Sequence, residues 1–257
     1  MMQFGPLTLK YCRYGWMLYY GPYIGKCFDL YGQYSESEVA MMRGFLREGS
    51  TVIDVGANIG DLTLPLARIV GESGRVYAIE SHPYNINILA ANLALNGIRN
   101  TRSINAFVAT SDQADTGGDW GKFAYVSEHW STTFIALDSL DLAACDLIKV
   151  DVDGKELDVL RSGEMQIERF RPVLYFENDV RDASQELLFY AMEKLGYDLY
   201  WHPAPIFDQD NFFGNPVNHW APKAYTSMMV LGVPAERKTA VPQLSRIADS
   251  HEWWPSA

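Results

Sequence analysis

Apolar and polar positions fall into three regimes along the chain. Residues 7–28, LTLKYCRYGWMLYYGPYIGKCF, alternate imperfectly and are rich in Tyr and Gly, which predicts short strands or an irregular β region. YSESEVAMMRGFLREG (34–49) reads as a capped helix. Ser35 or Ser37 is its N-cap, Glu36 and Glu38 favour its first turn, and Gly49 ends it. From residue 50 onward, short apolar runs alternate with amphipathic stretches. STVIDVG, RVYAIE, TRSINAFVAT, DLIKVDV and PVLYFEN predict strands. DLTLPLARIVG, NINILAANLALNG, GKELDVLRSG and SQELLFYAMEKLGY predict helices, with Pro65 confined to a first turn and Gly97 closing the second helix. YDLYWHPAPIF and TSMMVLGVP form a closing pair of strands, and DQADTGGDWGK is a turn-rich loop.

Strand–helix alternation of this kind predicts an α/β fold, a mostly parallel sheet with helices on both faces. The expected organisation is an appendage over 1–48, the α/β domain over 49–234, and a loosely held polar and aromatic tail over 235–257. The 257 residues, 48% of them hydrophobic, suffice for one large domain. The net charge of −11 repels phosphate backbones, so nucleic acid is not an expected partner. Cys12, Cys27 and Cys145 fit neither a disulfide framework nor a zinc site and read as reduced thiols of a cytoplasmic protein. Neither a secretory signal nor a membrane span is visible in the pattern.

In open parallel sheets, ligands bind beyond the carboxyl ends of the strands. The first central strand ends in Asp54-Val55-Gly56-Ala57-Asn58-Ile59-Gly60, a tight turn that lets a ligand approach the backbone. The dinucleotide fingerprint needs a middle glycine that is absent here. Asp54 would also repel a pyrophosphate, whereas a ligand carrying a sulfonium and an ammonium suits it. The turn therefore points to S-adenosylmethionine rather than NAD. Glu80 ends the next strand, where an acid can take both ribose hydroxyls. Ser81 and His82 fall near the adenine edge, and Asn105 in the third strand is counted with the cofactor contacts.

Asp151 and Asp153 follow the strand DLIKVD, and Glu177 and Asn178 end the next one. An alcohol is a poor nucleophile until it loses its proton or binds a metal. Asp151 is therefore either a general base or, with Glu177 and Asn178, a ligand of Mg²⁺ or another divalent cation. That second set is similar to the acid, acid, Asn metal site of catechol O-methyltransferases. Asp153 also forms a D-x-x-E cap with Glu156, and Lys155 either pairs with these acids or polarises the acceptor. His202 is a second candidate base. On the acceptor side stand the 112–131 loop with Trp120 and Trp130, and Asn211, Phe212, Phe213 and Asn215, since aromatic faces with amide partners suit sugars.

Three blocks together resemble the FkbM family of S-adenosylmethionine-dependent methyltransferases: VIDVGANIGDLTLPLA (52–67), YAIESHPYNINILAANLALNGI (77–98), and TTFIALDSL…DLIKVDVDGKELDVLRSG…RPVLYFEN (132–178). The resemblance covers roughly residues 32 to 180. It implies the class I methyltransferase fold, a Rossmann-like seven-stranded sheet whose last strand is antiparallel. It also implies O-methylation of a hydroxyl on a small-molecule, sugar or glycan acceptor, with a homo-oligomer among the family's options. The chain departs from the family at Ser81-His82, where a Pro-rich or Asn-rich stretch is common. Two other functions make different demands on these residues. A non-catalytic S-adenosylmethionine-binding domain would spoil the turn or lack the acid of the second strand, and an NAD-dependent oxidoreductase would need the missing glycine.

Overall fold

The computed structural model describes residues 7–110, 133–221, 226–239 and 241–254. Trp120 and Trp130 lie outside them. The N-terminal segment forms a hairpin, β1 (Thr8–Cys12) and β2 (Gly15–Tyr19), and two helices, α1 (Ile24–Tyr31) and α2 (Glu36–Arg43). The expected long helix stops at Gly44, five residues before Gly49, because the chain tightens there into 3₁₀-type bonds such as Gly44 N–H to Met41 O at 3.1 Å. Ser35 holds the N-cap position but does not cap the backbone; its hydroxyl donates to Glu38 Oε1 at 2.6 Å.

The α/β body follows: β3 (Thr51–Val55), α3 (Thr63–Val70), β4 (Arg75–Glu80), α4 (Pro83–Leu95), β5 (Thr101–Val108), β6 (Thr133–Ile135), β7 (Leu147–Val150), α5 (Glu156–Ser162), α6 (Glu164–Phe170), β8 (Val173–Glu177), α7 (Arg181–Phe189), β9 (Tyr197–Pro205), β10 (Thr226–Pro234) and β11 (Ser245–Arg246). The sheet runs in the order β11-β9-β10-β8-β7-β3-β4-β5-β6. Strands β3 to β8 are mutually parallel, and β10 enters antiparallel between β8 and β9. This is the expected seven-stranded class I order with a short strand added at each edge. The central strands are buried on both faces, so they read as continuous apolar runs.

The order reverses between β3 and β7, which places the carboxyl ends of β3, β4, β7 and β8 around one crevice. Two further elements bear on that crevice. The hairpin is tied to α4 by Asn92, whose amide donates to Leu18 O (2.9 Å) and Ile59 O (2.8 Å) and accepts from Leu18 N–H (2.7 Å). The tail is pinned rather than loose. Trp254 packs on Trp201 with ring centroids 4.3 Å apart, and its indole N–H donates to Asn178 O at 2.8 Å. The three cysteines are buried and unpaired. Among the described residues, no helix is long and apolar enough to cross a membrane.

Candidate active site

A cavity of about 940 Å³ opens at the carboxyl ends of the strands. The turn after β3 forms its floor. Gly56, Asn58 and Gly60 all have left-handed backbones, at φ 78°, 47° and 92°. A Cβ on Gly56 would fall 1.8 Å from the Asp151 carbonyl oxygen, so this glycine is what lets the β3 and β7 ends close together. A Cβ on Gly60 would meet Leu89 and Leu64 side chains at 2.6 and 2.9 Å, so Gly60 serves helix packing. The Gly56 and Ala57 N–H groups both donate to Ile79 O (2.9 and 3.0 Å). Gly56 and Asn58 line the cavity, whereas Ala57 is buried in the core beneath it.

Glu80, at the end of β4, is 7% exposed and lines the same cavity. Its Oε2 accepts from Asn58 N–H at 2.8 Å and its Oε1 from His82 N–H at 2.7 Å. Burial raises its pKa, and these two bonds only partly offset the rise. Each oxygen keeps a second lone pair for a ligand hydroxyl. Ser81 and His82 stand beside it on the cavity wall. Asn105 does not line the cavity; its amide donates to Glu80 O (2.8 Å) and Ser81 O (3.0 Å) and so fixes the rim. Ala106, Phe107 and Val108 from β5 add an apolar slot next to Glu80.

Beneath the turn lies a lysine that the sequence reading did not single out. Lys149, 2% exposed in the middle of β7, is paired in register with Asp54 of β3. Its ammonium sits 3.4 Å from Asp54 Oδ1 and 3.7 Å from Asp151 Oδ2, and donates to Gly56 O at 3.1 Å. Burial alone would lower its pKa. The surrounding Asp54, Asp151, Asp61 and Glu38 reverse that and hold the proton more firmly than on an ordinary lysine. Asp54 does not line the cavity. It is fully buried, accepts from Thr63 Oγ1 at 2.6 Å, and neutralises Lys149 below the floor. The signal that marks Lys149 is a lone charge inside the apolar run LIKV, which a buried central strand tolerates only when paired.

The far half of the cavity is acidic. Asp151, Asp153 and Lys155 after β7 face Glu177 and Asp179 after β8, with Thr226, Ser227 and Met228 at the start of β10. Glu177 is pushed up to about 10, first by burial and then by Asp151, Asp179 and Glu156. Its side chain shares a hydrogen bond with Asp151. Glu156 Oε1 accepts from Val152 N–H (3.0 Å) and Gly154 N–H (3.2 Å). The capping role falls to Glu156 alone, while Asp153, at φ 52°, remains on the cavity wall. Lys155 pairs with Asp158 at 3.7 Å.

Several expected site residues are elsewhere. The metal set Asp151, Glu177, Asn178 is not assembled. Asn178 is 3% exposed, and its amide donates to Ser184 Oγ at 2.8 Å, behind the strand end. Among the described residues, no group of three or more His, Cys, Asp or Glu side chains is placed to hold a metal ion. His202 is also no candidate base for this cavity. It is 6% exposed, bonded to the Tyr175 hydroxyl at 2.7 Å and to Ser37 Oγ at 3.2 Å, and burial pushes its pKa down to about 4. Asn211, Phe212, Phe213 and Asn215 do not line the cavity either. Asn211 donates to Asp208 O (2.9 Å) and Asn215 O (2.7 Å), closing a loop on itself. Phe212 lies against Tyr11 of the hairpin, with centroids 6.4 Å apart. The wall is supplied instead by Tyr20, Tyr23 and Tyr34 from the N-terminal segment and by Asp61 at the start of the helical turn.

Two buried carboxyls beside Lys149 make stability depend on pH. Burial raises Asp61 to about 8 and Glu38 to about 7, and Asp61 Oδ1 and Glu38 Oε2 accept no hydrogen bond. The folded chain keeps protons that the unfolded chain sheds near pH 4, so stability from these groups is full at low pH and lost as pH rises through 7 to 8. The melting temperature of the ligand-free protein is expected to fall between about pH 5 and 8, and to fall less in Asp61→Asn. A flat or rising profile in the unaltered chain would contradict this.

Comparison with known proteins agrees with this geometry. The family model "Methyltransferase FkbM domain" matches residues 54–199, more than half of the chain. The chain is similar to the solved SAM-dependent O-methyltransferase of Thermotoga maritima, with a TM-score of 0.52, 16% identity, and 89% of this chain and 78% of that one covered. It is similar to a solved FkbM methyltransferase of Methylobacillus flagellatus at a TM-score of 0.50 and 17% identity, covering 74% of this chain and 45% of that one. Among curated proteins, 56 residues are 41% identical to the 23S rRNA (uracil(1939)-C(5))-methyltransferase RlmD of Psychrobacter arcticus, covering 22% of this chain and 11% of that protein. A stretch of 66 residues is 32% identical to the probable cobalt-precorrin-6B C(15)-methyltransferase (decarboxylating) of Sulfolobus acidocaldarius, covering 26% of this chain and 34% of that protein. The chain thus spans about a third or less of these two curated relatives. With the fold, the turn and the acid at the end of β4 in place, the chain belongs to the FkbM family of S-adenosylmethionine-dependent methyltransferases.

Proposed function

We propose that the protein methylates a hydroxyl group of a small polar acceptor, a sugar or a glycosylated metabolite, with Asp151 as general base. The observation that carries this reading is the partly exposed Asp151 side chain after β7, 3.7 Å from the buried Lys149 ammonium and hydrogen-bonded to Glu177 at the end of β8.

The residues present fit S-adenosylmethionine. Glu80 suits the ribose hydroxyls, the Ala106–Val108 slot suits the adenine, and Gly56 and Asn58 leave room for the chain that joins the ribose to the amino acid. When bound, this cofactor supplies a sulfonium methyl that an oxygen nucleophile can take. The protein's part is to orient and deprotonate. Asp151 would accept the proton of the acceptor hydroxyl as that oxygen takes the methyl group, with the thioether as leaving group. Lys149 keeps Asp151 oriented, and Glu177 shares a hydrogen bond with it. Tyr20, Tyr23 and Tyr34 give one wall of the cavity an aromatic lining.

The test is transfer from methyl-labelled S-adenosylmethionine to a panel of polyhydroxylated small molecules, followed by analysis of the product linkage. The label is expected in a methyl ether. Label found only on carbon would assign the protein to the C-methylating side of its relatives and overturn the hydroxyl reading.

A further inference from the structure

The acceptor half of the cavity carries more negative charge than the cofactor can balance. Among the described residues, six carboxyl side chains line the cavity (Asp61, Glu80, Asp151, Asp153, Glu177 and Asp179) against one lysine, Lys155, which is itself paired with Asp158. Glu80 stands at the ribose end. S-adenosylmethionine brings one net positive charge, from a sulfonium, an ammonium and a carboxylate. Asp151 raises the proton affinity of Asp153, Asp179 and Glu177, and Asp179 raises that of Asp153 and Glu177. An independent observation points to a missing donor. Asp61 Oδ1 is shut off from solvent and accepts no hydrogen bond. Asp61 lines the cavity together with Asp151 and Tyr34. The rings of Tyr23 and Tyr34 stand on the same wall, their centroids 6.5 Å apart.

A carboxyl group with an unpartnered oxygen, next to further acids and aromatic faces, suits an alkylammonium group, whose charge would draw the proton from Asp61. We propose that the acceptor carries a protonated amine close to the hydroxyl that is methylated, as in an amino sugar or aminocyclitol. This rests on the reading of the cavity as a methyl-transfer site and narrows its substrate class. The amine is a recognition handle and not the nucleophile. Carboxylates around an ammonium hold its proton in place, so its nitrogen has no free electron pair, and the neighbouring oxygen reacts instead. The same field disfavours polyanions, which include the substrate types named for the RNA and precorrin relatives.

The test uses matched monosaccharides with the whole chain saturated in S-adenosylhomocysteine. D-Glucosamine, D-glucose and D-glucuronate are titrated by ligand-observed NMR against the unaltered protein and Asp61→Asn. Glucosamine is expected to bind at least tenfold more tightly than glucose, with glucuronate not binding. Asp61→Asn is expected to cut that preference severalfold while leaving S-adenosylhomocysteine affinity unchanged. Equal binding of glucose, binding of glucuronate, or no binding of glucosamine would overturn the proposal. So would an Asp61→Asn protein that keeps the preference but loses S-adenosylhomocysteine affinity, since Asp61 would then serve the cofactor. A chain that binds no S-adenosylhomocysteine at all fails the underlying reading instead. Variant folding is checked by its melting curve, and Asp179→Asn provides a second, more exposed probe of the same preference.

Discussion

Replacing Lys149 with Met is expected to cost about 3–5 kcal/mol of stability, because it removes the cation from a buried ion pair and keeps the carboxylate. Asp54 is fully buried and would retain only the Thr63 hydroxyl, while the Gly56 carbonyl would lose its donor. For a chain of this size the loss corresponds to a fall of roughly 6–20 °C in melting temperature. Met matches the stem of Lys in length, so packing is largely preserved and the effect isolates the charge. Cofactor affinity is expected to fall too, since Lys149 holds the Gly56 end of the turn from below. A melting curve within about 2 °C of the unaltered protein would mean that Asp54 finds water or another donor, and that Lys149 does not organise the site.

Asp151→Asn separates chemistry from binding. Asn has the same shape but cannot accept the hydroxyl proton, so single-turnover methyl transfer should fall by about 10²–10⁴-fold. S-adenosylhomocysteine affinity should stay within a few-fold, because Glu80 and the turn do not depend on the Asp151 charge. Full transfer by this variant would remove Asp151 from the reaction and leave Glu177 or Asp179 as the nearest carboxyls.

Local patterns carried much of the fold. The runs VIDV, VYAI, LIKV and VLYFE became central strands because both their faces are covered, and the closing pair paired antiparallel as expected. The turn at Gly56–Gly60 and the acid at Glu80 were legible because strand ends in such sheets meet at the crevice. Legibility stopped where a side chain's direction decides. Asn178 sits one residue from Glu177 on the strand, so it points to the other face and bonds to Ser184. His202 looked like a base but lies in β9, beyond β10, against Tyr175. The tyrosine wall was hidden for a different reason. Tyr20, Tyr23 and Tyr34 reach the cavity only because the N-terminal hairpin docks on α4 through Asn92, a contact 74 residues apart in sequence that no local pattern announces. The tail failed similarly, since its order depends on Trp201 and Asn178 far upstream.

The central claim is that the crevice between β3, β4 and β7 holds S-adenosylmethionine through Glu80 and the turn. Isothermal calorimetry with S-adenosylhomocysteine tests it most directly, on the unaltered chain and on Glu80→Ala. One site per chain with a micromolar dissociation constant, weakened at least tenfold in Glu80→Ala, is the predicted result. No heat of binding up to several hundred micromolar, or equal affinity in Glu80→Ala, would contradict it.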